Sequence, residues 1–133
     1  MEENGILLND KIKSLASLGE SAQVEFKSAK GGFPGSFWES YSAFANTNGG
    51  LIVLGVVEKN NKFHFDGLDE ATIVKYKKIF WDCAHNRGKI SACLPRESDI
   101  ITENIGGSYI LICNIPRANY EIRPVYVLSL IHI

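Results

Sequence analysis

Residues 42–57, SAFANTNGGLIVLGVV, decide the fold. Apolar side chains within and just before this stretch recur at helical spacing and predict an amphipathic helix: Phe37, Trp38, Tyr41, Phe44 and Ala45. The sequence Asn48-Gly49-Gly50 predicts the end of that helix, because glycine readily adopts the left-handed conformation that follows a helix. The run from Leu51 to Val57 is almost continuously apolar, so it predicts a central strand covered on both faces. A helix followed directly by a buried strand indicates an α/β fold.

The segments on either side extend this pattern. Residues 22–28, AQVEFKS, alternate apolar and polar side chains and predict a half-buried strand. Ser36 predicts the cap of the aromatic helix, with Glu39 three residues later completing a capping box. Asp69 predicts the cap of a further helix that runs to about Arg87.

The remaining elements complete one domain. A short first helix is predicted after Asn9 or Asp10, and a turn is predicted at Asn60-Asn61. Two strands should flank a hairpin turn at Gly106-Gly107, and a last strand is predicted over residues 124–128. The sequence therefore predicts a single domain over residues 1–133, of the α/β (α+β) class, with a mixed β-sheet and two or three packed helices.

Composition limits the possible functions. The chain has 133 residues, enough for one domain, and its 45% apolar content is that of a globular protein. Its longest apolar run is far shorter than the roughly 20 residues that span a membrane. The acidic start MEENGILLND does not resemble a signal peptide, so we expect a cytoplasmic protein without membrane contact. A formal net charge of −1 confines any nucleic-acid surface to a local basic patch.

The cysteines do not predict a metal or redox site. They are three in number, widely spaced, and form no CxxC motif. Cys93 and Cys113 lie in apolar, strand-like runs and are interpreted as small core residues. Cys83 and His85 could be two metal ligands, but an isolated pair of this kind is more often structural.

Carboxylates near the first predicted strand could carry chemistry. Glu20 and Glu25, with Lys27, could hold a divalent ion and place a water beside a phosphodiester. Glu58, at the exit of the next predicted strand, is a possible third carboxylate. Strand alternation puts Glu25 and Lys27 on one face, whereas Glu20 joins them only if the chain between is irregular. The alternative is a surface network of little energetic weight.

The loop KGGFPGS, residues 30–36, opens a helix and offers backbone N–H groups to a phosphate. It is not a Walker A loop, so nucleotide binding is not predicted from it, and a mobile loop is the alternative. A nucleic-acid backbone could be contacted by basic side chains of this loop, the preceding strand and the helix after Asp69. The candidates are Lys27, Lys30, Lys75 and Lys78.

Several segments, in this order, together resemble the Schlafen AlbA_2 domain. They are VEFKSA (24–29), AFANTNGGLIVLGVVE (43–58), Gly67-Leu68, YILICNIPRA (109–118) and Arg123-Pro124-Val125-Tyr126. The resemblance covers about residues 15–126. It implies an α/β fold that binds DNA or RNA, as a DNA-binding domain of bacterial transcriptional-regulator-like proteins. The family is also called a divergent ATPase, but no motif in this chain supports ATP binding.

The resemblance implies a second possibility. Some Schlafen proteins are metal-dependent endoribonucleases with two glutamates spaced as Glu20 and Glu25 are, and an acidic residue after the central strand, where Glu58 stands here. Such a nuclease would use Mg²⁺ or Mn²⁺. Glutamate at position 58 departs from the commoner aspartate, which changes the reach of that ligand. Residues 127–133, VLSLIHI, also depart from the family, so we expect an altered or truncated C-terminus and a missing C-terminal domain.

These observations favour a nucleic-acid-binding domain of a bacterial regulator, with DNA or RNA as partner and no cofactor. The first alternative is a metal-dependent RNase in which Glu20, Glu25 and Glu58 are catalytic. The second is a protein-interaction module that forms a homodimer.

Overall fold

A computed structural model describes Leu8, Asp10 and residues 23–128. Leu8 and Asp10 are helical, so this helix begins before the predicted cap at Asn9 or Asp10. The rest of the predicted first helix lies outside the described residues. The other elements are β1 (Gln23–Lys27), α1 (Phe37–Ala45), β2 (Gly50–Leu54), β3 (Val56–Lys59), β4 (Lys62–Phe65), α2 (Glu70–Ala84), a 3-10 turn (Glu97–Asp99), β5 (Ile100–Ile105) and β6 (Ser108–Ile115).

The main sheet has four strands in the order β1-β2-β6-β5. β1 and β2 run parallel, whereas β6 runs antiparallel to both of its neighbours. Parallel neighbours need a crossover connection, and α1 lies within the one that joins β1 to β2. The predicted mixed sheet with packed helices in a single α/β domain is confirmed.

The predicted strand over Leu51–Val57 is only partly correct. β2 lies inside the sheet as expected, but the chain turns sharply at Gly55, where φ is +100°. A Cβ at this position would lie 3.2 Å from the Tyr109 carbonyl oxygen and 3.3 Å from Leu68 Cδ1, so only glycine fits without strain. Beyond this corner, β3 pairs with β4 in a separate two-stranded sheet.

Both faces of β2 are buried, as its apolar sequence predicts. Ile52 and Leu54 face a core shared with α1 and α2, where the rings of Trp38 and Phe80 stack with centroids 5.5 Å apart. Leu51 and Val53 face a second core formed with the β3–β4 hairpin. Leu8, which is helical and fully buried, belongs to the same core, so the hairpin covers that side of the sheet together with Leu8.

One predicted helix cap and two predicted turns are confirmed. Asp69 accepts a hydrogen bond from the Thr72 N–H at 2.8 Å and caps α2. Asn60 and Asn61 have φ values of 52° and 62° and join β3 to β4. Gly106 and Gly107, with φ values of 60° and 93°, join β5 to β6. These conformations match the primed turns that tight hairpins favour.

Two C-terminal boundaries differ from the prediction. α2 ends at Ala84, not near Arg87, and the Arg87 Nη1 donates to the Ala84 carbonyl at 2.8 Å. The predicted strand over residues 124–128 is reduced to one isolated bridge between Val127 and Ile90.

No helix in the described part of the chain is long and apolar enough to cross a membrane.

Candidate functional site

The carboxyl end of β1 places two of the predicted site residues together. Glu25 and Lys27 lie on the same face of the strand, and the Lys27 ammonium is 3.5 Å from the Glu25 carboxylate. It also donates to the Ser36 hydroxyl at 2.9 Å. The Lys27 side chain is only 11% exposed, against 45% for Glu25. The Lys27 charge is therefore held inside a local network.

This network explains why the predicted capping box does not form. Ser36 stands at the N-cap of α1, but its side chain makes no capping hydrogen bond. Its backbone has helical angles, φ −80° and ψ −1°, whereas a capping residue usually has an extended backbone. The hydroxyl accepts from Lys27 instead, so a tertiary contact replaces the local one.

Asp66 is a central residue of this region that sequence reasoning missed. Its carboxylate accepts hydrogen bonds from the Ala29 N–H at 2.7 Å and from the Ser28 hydroxyl at 3.1 Å. Its own N–H donates to the Gly55 carbonyl at 2.9 Å. The sequence Asp66-Gly67 signals a turn, but nothing local indicates partners 37 and 38 residues away. Asp66 thus ties the start of the glycine-containing loop to the corner between the two sheets.

The loop over residues 30–36 is anchored rather than free along its length. Phe33 is buried, and its ring centroid lies 5.0 Å from that of Phe37 and 6.0 Å from that of Tyr76. The Tyr76 hydroxyl donates to the Ala29 carbonyl at 2.8 Å. These contacts hold the loop against α2 while Lys30 stays exposed to solvent.

Three of the four predicted phosphate-contacting lysines are exposed. They are Lys30 on the loop and Lys75 and Lys78 on α2. Lys78 is 2.8 Å from Asp82, one helical turn further along, and this hydrogen-bonded neighbour raises the pKa of Lys78. An exposed pair of this type is weak and readily exchanged for another anion. Lys27 differs from the other three because its ammonium already has two protein partners.

Of the three predicted carboxylates, the structure describes Glu25 on β1 and Glu58 on β3. Glu58 pairs with Phe63 across the hairpin and shares its side, and the Phe63 ring packs on Phe26 with centroids 5.1 Å apart. Glu25 projects from the face of β1 opposite to Phe26. No group of three or more histidine, cysteine, aspartate or glutamate side chains that could hold a metal occurs in the described part of the chain. Glu20 lies outside it, so a site formed by Glu20, Glu25 and Glu58 stays a prediction.

The buried titratable groups have structural roles. Burial raises the pKa of the Cys83, Cys93 and Cys113 thiols, which keeps them protonated and unreactive near neutral pH. Burial also raises the pKa of Tyr41 to about 12. The Tyr41 hydroxyl donates to the Ala92 carbonyl at 2.7 Å and accepts from the Leu94 N–H at 2.9 Å, so it holds that loop against α1.

The carboxyl end of α1 carries a second residue whose role the sequence did not reveal. The Asn46 side-chain amide donates to the Val125 carbonyl at 2.7 Å and accepts from the Val125 N–H at 2.7 Å. The Ala118 N–H also donates to the Ala45 carbonyl at 2.8 Å. Because Asn46 occupies both backbone groups of Val125, that residue does not join a strand ladder.

Residues 20–127 match the family model described as Schlafen, AlbA_2. The chain belongs to the Schlafen AlbA_2 family. Its fold is similar to the solution NMR structure of the N-terminal domain of a RecG-related protein from Nitrosomonas europaea, with a TM-score of 0.63 and 26% identity. That match covers 90% of this chain and 79% of the other, and the other protein is named for a relation to an ATP-dependent DNA helicase. No curated protein matches the chain.

Two of the AlbA_2 segments meet in the folded domain. The block at residues 43–58 contains Asn46, and the late block at residues 123–126 contains Val125. Asn46 and Val125 are 79 residues apart in the sequence, yet two hydrogen bonds of 2.7 Å join them. In this AlbA_2 domain the two blocks therefore act as one structural unit.

Proposed function

We propose that this AlbA_2 domain binds the phosphate backbone of DNA or RNA through Lys30, Lys75 and Lys78. The observation that carries the proposal is the hydrogen bond from Tyr76 to the Ala29 carbonyl, supported by the buried ring of Phe33. Together they fix the loop that carries Lys30 against the helix that carries the other two lysines. Such an arrangement lowers the entropic cost of holding several cations along one backbone.

The charge of the chain predicts weak, salt-sensitive binding. Each lysine that neutralises a phosphate releases condensed counterions, so affinity falls as salt rises. With three exposed lysines and a net charge of −1, we expect on the order of 2 to 4 phosphate contacts and a dissociation constant in about the micromolar range. These contacts position a nucleic acid but do not select its sequence.

We further propose that the domain serves as the DNA-binding part of a bacterial regulator in the cytoplasm. The comparison protein supports a role near DNA, because its name relates it to a DNA helicase and its similar domain is N-terminal. An N-terminal position there fits a binding module that acts beside other domains. A homodimer or a further C-terminal domain would add the affinity that one weakly basic domain lacks.

Fluorescence anisotropy with labelled DNA and RNA, each single- and double-stranded, tests the proposal. Titrations at several salt concentrations in EDTA give the number of phosphate contacts, and parallel reactions with Mg²⁺ or Mn²⁺ report cleavage. We expect binding in EDTA that weakens with salt. Cleavage that requires the metal would instead favour the endoribonuclease.

A matched pair of double variants locates the surface. Lys30→Ala/Lys75→Ala removes two charges from the proposed site, and Lys59→Ala/Lys62→Ala removes two exposed charges from the β3–β4 hairpin. We expect the first pair to weaken every nucleic acid clearly more than the second. Equal losses would mean that net charge alone governs binding and would contradict the proposed site.

A further inference from the structure

Tyr120 is an aromatic ring presented to solvent on a well-defined turn. It is 82% exposed, the largest exposed fraction among the large hydrophobic residues the structure describes. The Ile122 and Arg123 N–H groups both donate to the Asn119 carbonyl at 3.1 Å, and the Asn119 side chain accepts from the Ile122 N–H at 3.2 Å. These bonds close the turn beneath Tyr120, so the ring is held out from the surface.

Arg123 covers one face of this ring. Its guanidinium carbon lies 4.8 Å from the centroid of Tyr120, within the range of a cation–π contact. Its Nε donates to the Ala118 carbonyl at 2.8 Å, which fixes the plane of the guanidinium. Two residues further on, Asn46 holds Val125 by both backbone groups. The ring and the cation are therefore positioned before any partner arrives.

We infer that Tyr120 and Arg123 form a stacking platform for an unpaired base of single-stranded nucleic acid. The ring face opposite Arg123 receives the base, and Arg123 and the exposed Arg117 lie on the same segment to contact the adjoining phosphates. Aromatic rings paired with arginine bind single strands because every base has a face to stack, whereas a duplex keeps its base faces covered. Glu121 is also exposed on the turn, and its negative charge repels phosphate. We therefore expect the platform to bind only a short segment of the strand.

This inference rests on the proposed nucleic-acid binding and adds its substrate class. The platform is distinct from the lysine site, which lies at the other end of α1. Backbone contacts by the lysines do not distinguish single strands from duplexes. Stacking on Tyr120 does, so the platform predicts a preference for unpaired segments, in DNA or RNA alike.

The test uses the full chain and a 2-aminopurine-labelled single strand of about 12 nucleotides, with a duplex of the same sequence as reference. Tyr120→Ala should weaken single-strand binding by about 5- to 140-fold, the range found when a stacking ring is truncated. It should also remove the quenching of 2-aminopurine that stacking produces. Tyr120→Phe keeps the ring and should bind like the wild type. Tyr126→Ala, which removes another exposed tyrosine, serves as the matched control and should have little effect.

The outcomes separate the two proposals. If Lys30→Ala/Lys75→Ala weakens binding while Tyr120→Ala leaves single-strand affinity unchanged, the platform is wrong and the lysine site stands. If Tyr120→Ala and Tyr126→Ala have equal effects, the stacking role is also wrong. If Tyr120→Ala changes the sedimentation coefficient of the protein but not its affinity for nucleic acid, the ring is a contact between protein chains and not a base platform. If the wild type binds no nucleic acid, both proposals fail.

Discussion

The two ends of α1 are tied to distant parts of the chain by different chemistry. At the amino end, the charged Lys27 reaches the Ser36 hydroxyl at 2.9 Å and the Glu25 carboxylate at 3.5 Å. At the carboxyl end, the neutral Asn46 makes two bonds of 2.7 Å to Val125. The Asn46 amide is neutral, and it satisfies both the N–H and the carbonyl of Val125. A phosphate would not replace this pair of hydrogen bonds. The Lys27 ammonium, only 11% exposed, is occupied by two protein partners, whereas Lys30 on the adjoining loop is open to solvent.

This difference separates residues that maintain the fold from residues that are available for binding. Asn46 lies within the AlbA_2 block at residues 43–58, yet its contacts are structural. Lys27 lies in the AlbA_2 segment at residues 24–29 and keeps a charge beside the loop that carries Lys30. Variants at each end of α1 can therefore test these two roles independently.

The largest expected effect is at the carboxyl end. Asn46→Ala removes both bonds and leaves the N–H and carbonyl of Val125 without partners in a half-buried place, so we expect a loss of about 2–4 kcal/mol in the free energy of unfolding. Urea denaturation followed by circular dichroism measures this loss. Asn48→Ala, at an exposed position in the same turn, is the control and should change stability little. If the two substitutions lower stability equally, the hydrogen bonds of Asn46 to Val125 have no special role in stabilising the fold.

A smaller loss is expected where the loop at the amino end meets α2. Tyr76→Phe deletes the hydroxyl that donates to the buried Ala29 carbonyl, at a cost of about 1 kcal/mol. We also expect weaker nucleic-acid binding, because the loop with Lys30 loses one of its attachments. Tyr109→Phe is the matched control, since its hydroxyl makes no hydrogen bond within residues 23–128. Weaker binding by the control alone would contradict the role of the loop.

The next comparison is between two neighbouring lysines. Lys30→Ala should reduce the slope of log affinity against log salt by about 1, because one phosphate contact is lost. Lys27→Met should lower the stability of the domain, because the hydrogen bond to Ser36 is lost. It should leave the salt slope unchanged unless Lys27 leaves Ser36 and contacts a phosphate in the complex. Anisotropy titrations at several salt concentrations distinguish these cases. An unchanged slope for Lys30→Ala would place the binding surface elsewhere.

The smallest effect is expected at Glu25. Glu25→Gln keeps the side-chain shape and removes one weak, partly exposed ionic contact, so stability should change by less than about 1 kcal/mol. Loss of this negative charge could strengthen phosphate binding slightly. We expect neither form to cleave RNA, because glutamate at position 58 changes the reach of the third predicted ligand. Mg²⁺- or Mn²⁺-dependent cleavage by the wild type that Glu25→Gln abolishes would identify the domain as an endoribonuclease.

The sequence predicted well those features that depend on neighbouring residues. The alternation around Glu25, the cap at Asp69 and the hairpin at Gly106-Gly107 are all set within a few residues, and each is present. Ser36 shows the limit of such local rules. Its hydroxyl could cap a helix, but in the folded chain it accepts a hydrogen bond from Lys27 of β1.

The features that sequence reasoning missed depend on contacts between remote residues. Asp66 meets Ala29 across 37 residues, and Asn46 meets Val125 across 79. Neither pairing leaves a periodic signal, because a hydrogen bond between distant segments imposes no spacing on the chain. The predicted strand at residues 124–128 is reduced to one bridge, and within it the backbone groups of Val125 are bonded to the remote Asn46.

The corner at Gly55 has a consequence for how this domain can change over evolution. The main sheet and the hairpin are joined there, at a residue that cannot carry a side chain without meeting the Tyr109 carbonyl. The tip of the hairpin lies on the far side of this joint and is exposed, so it can be lengthened, shortened or exchanged without reaching the sheet. The position of the joint is fixed, while the part attached to it is free to diversify.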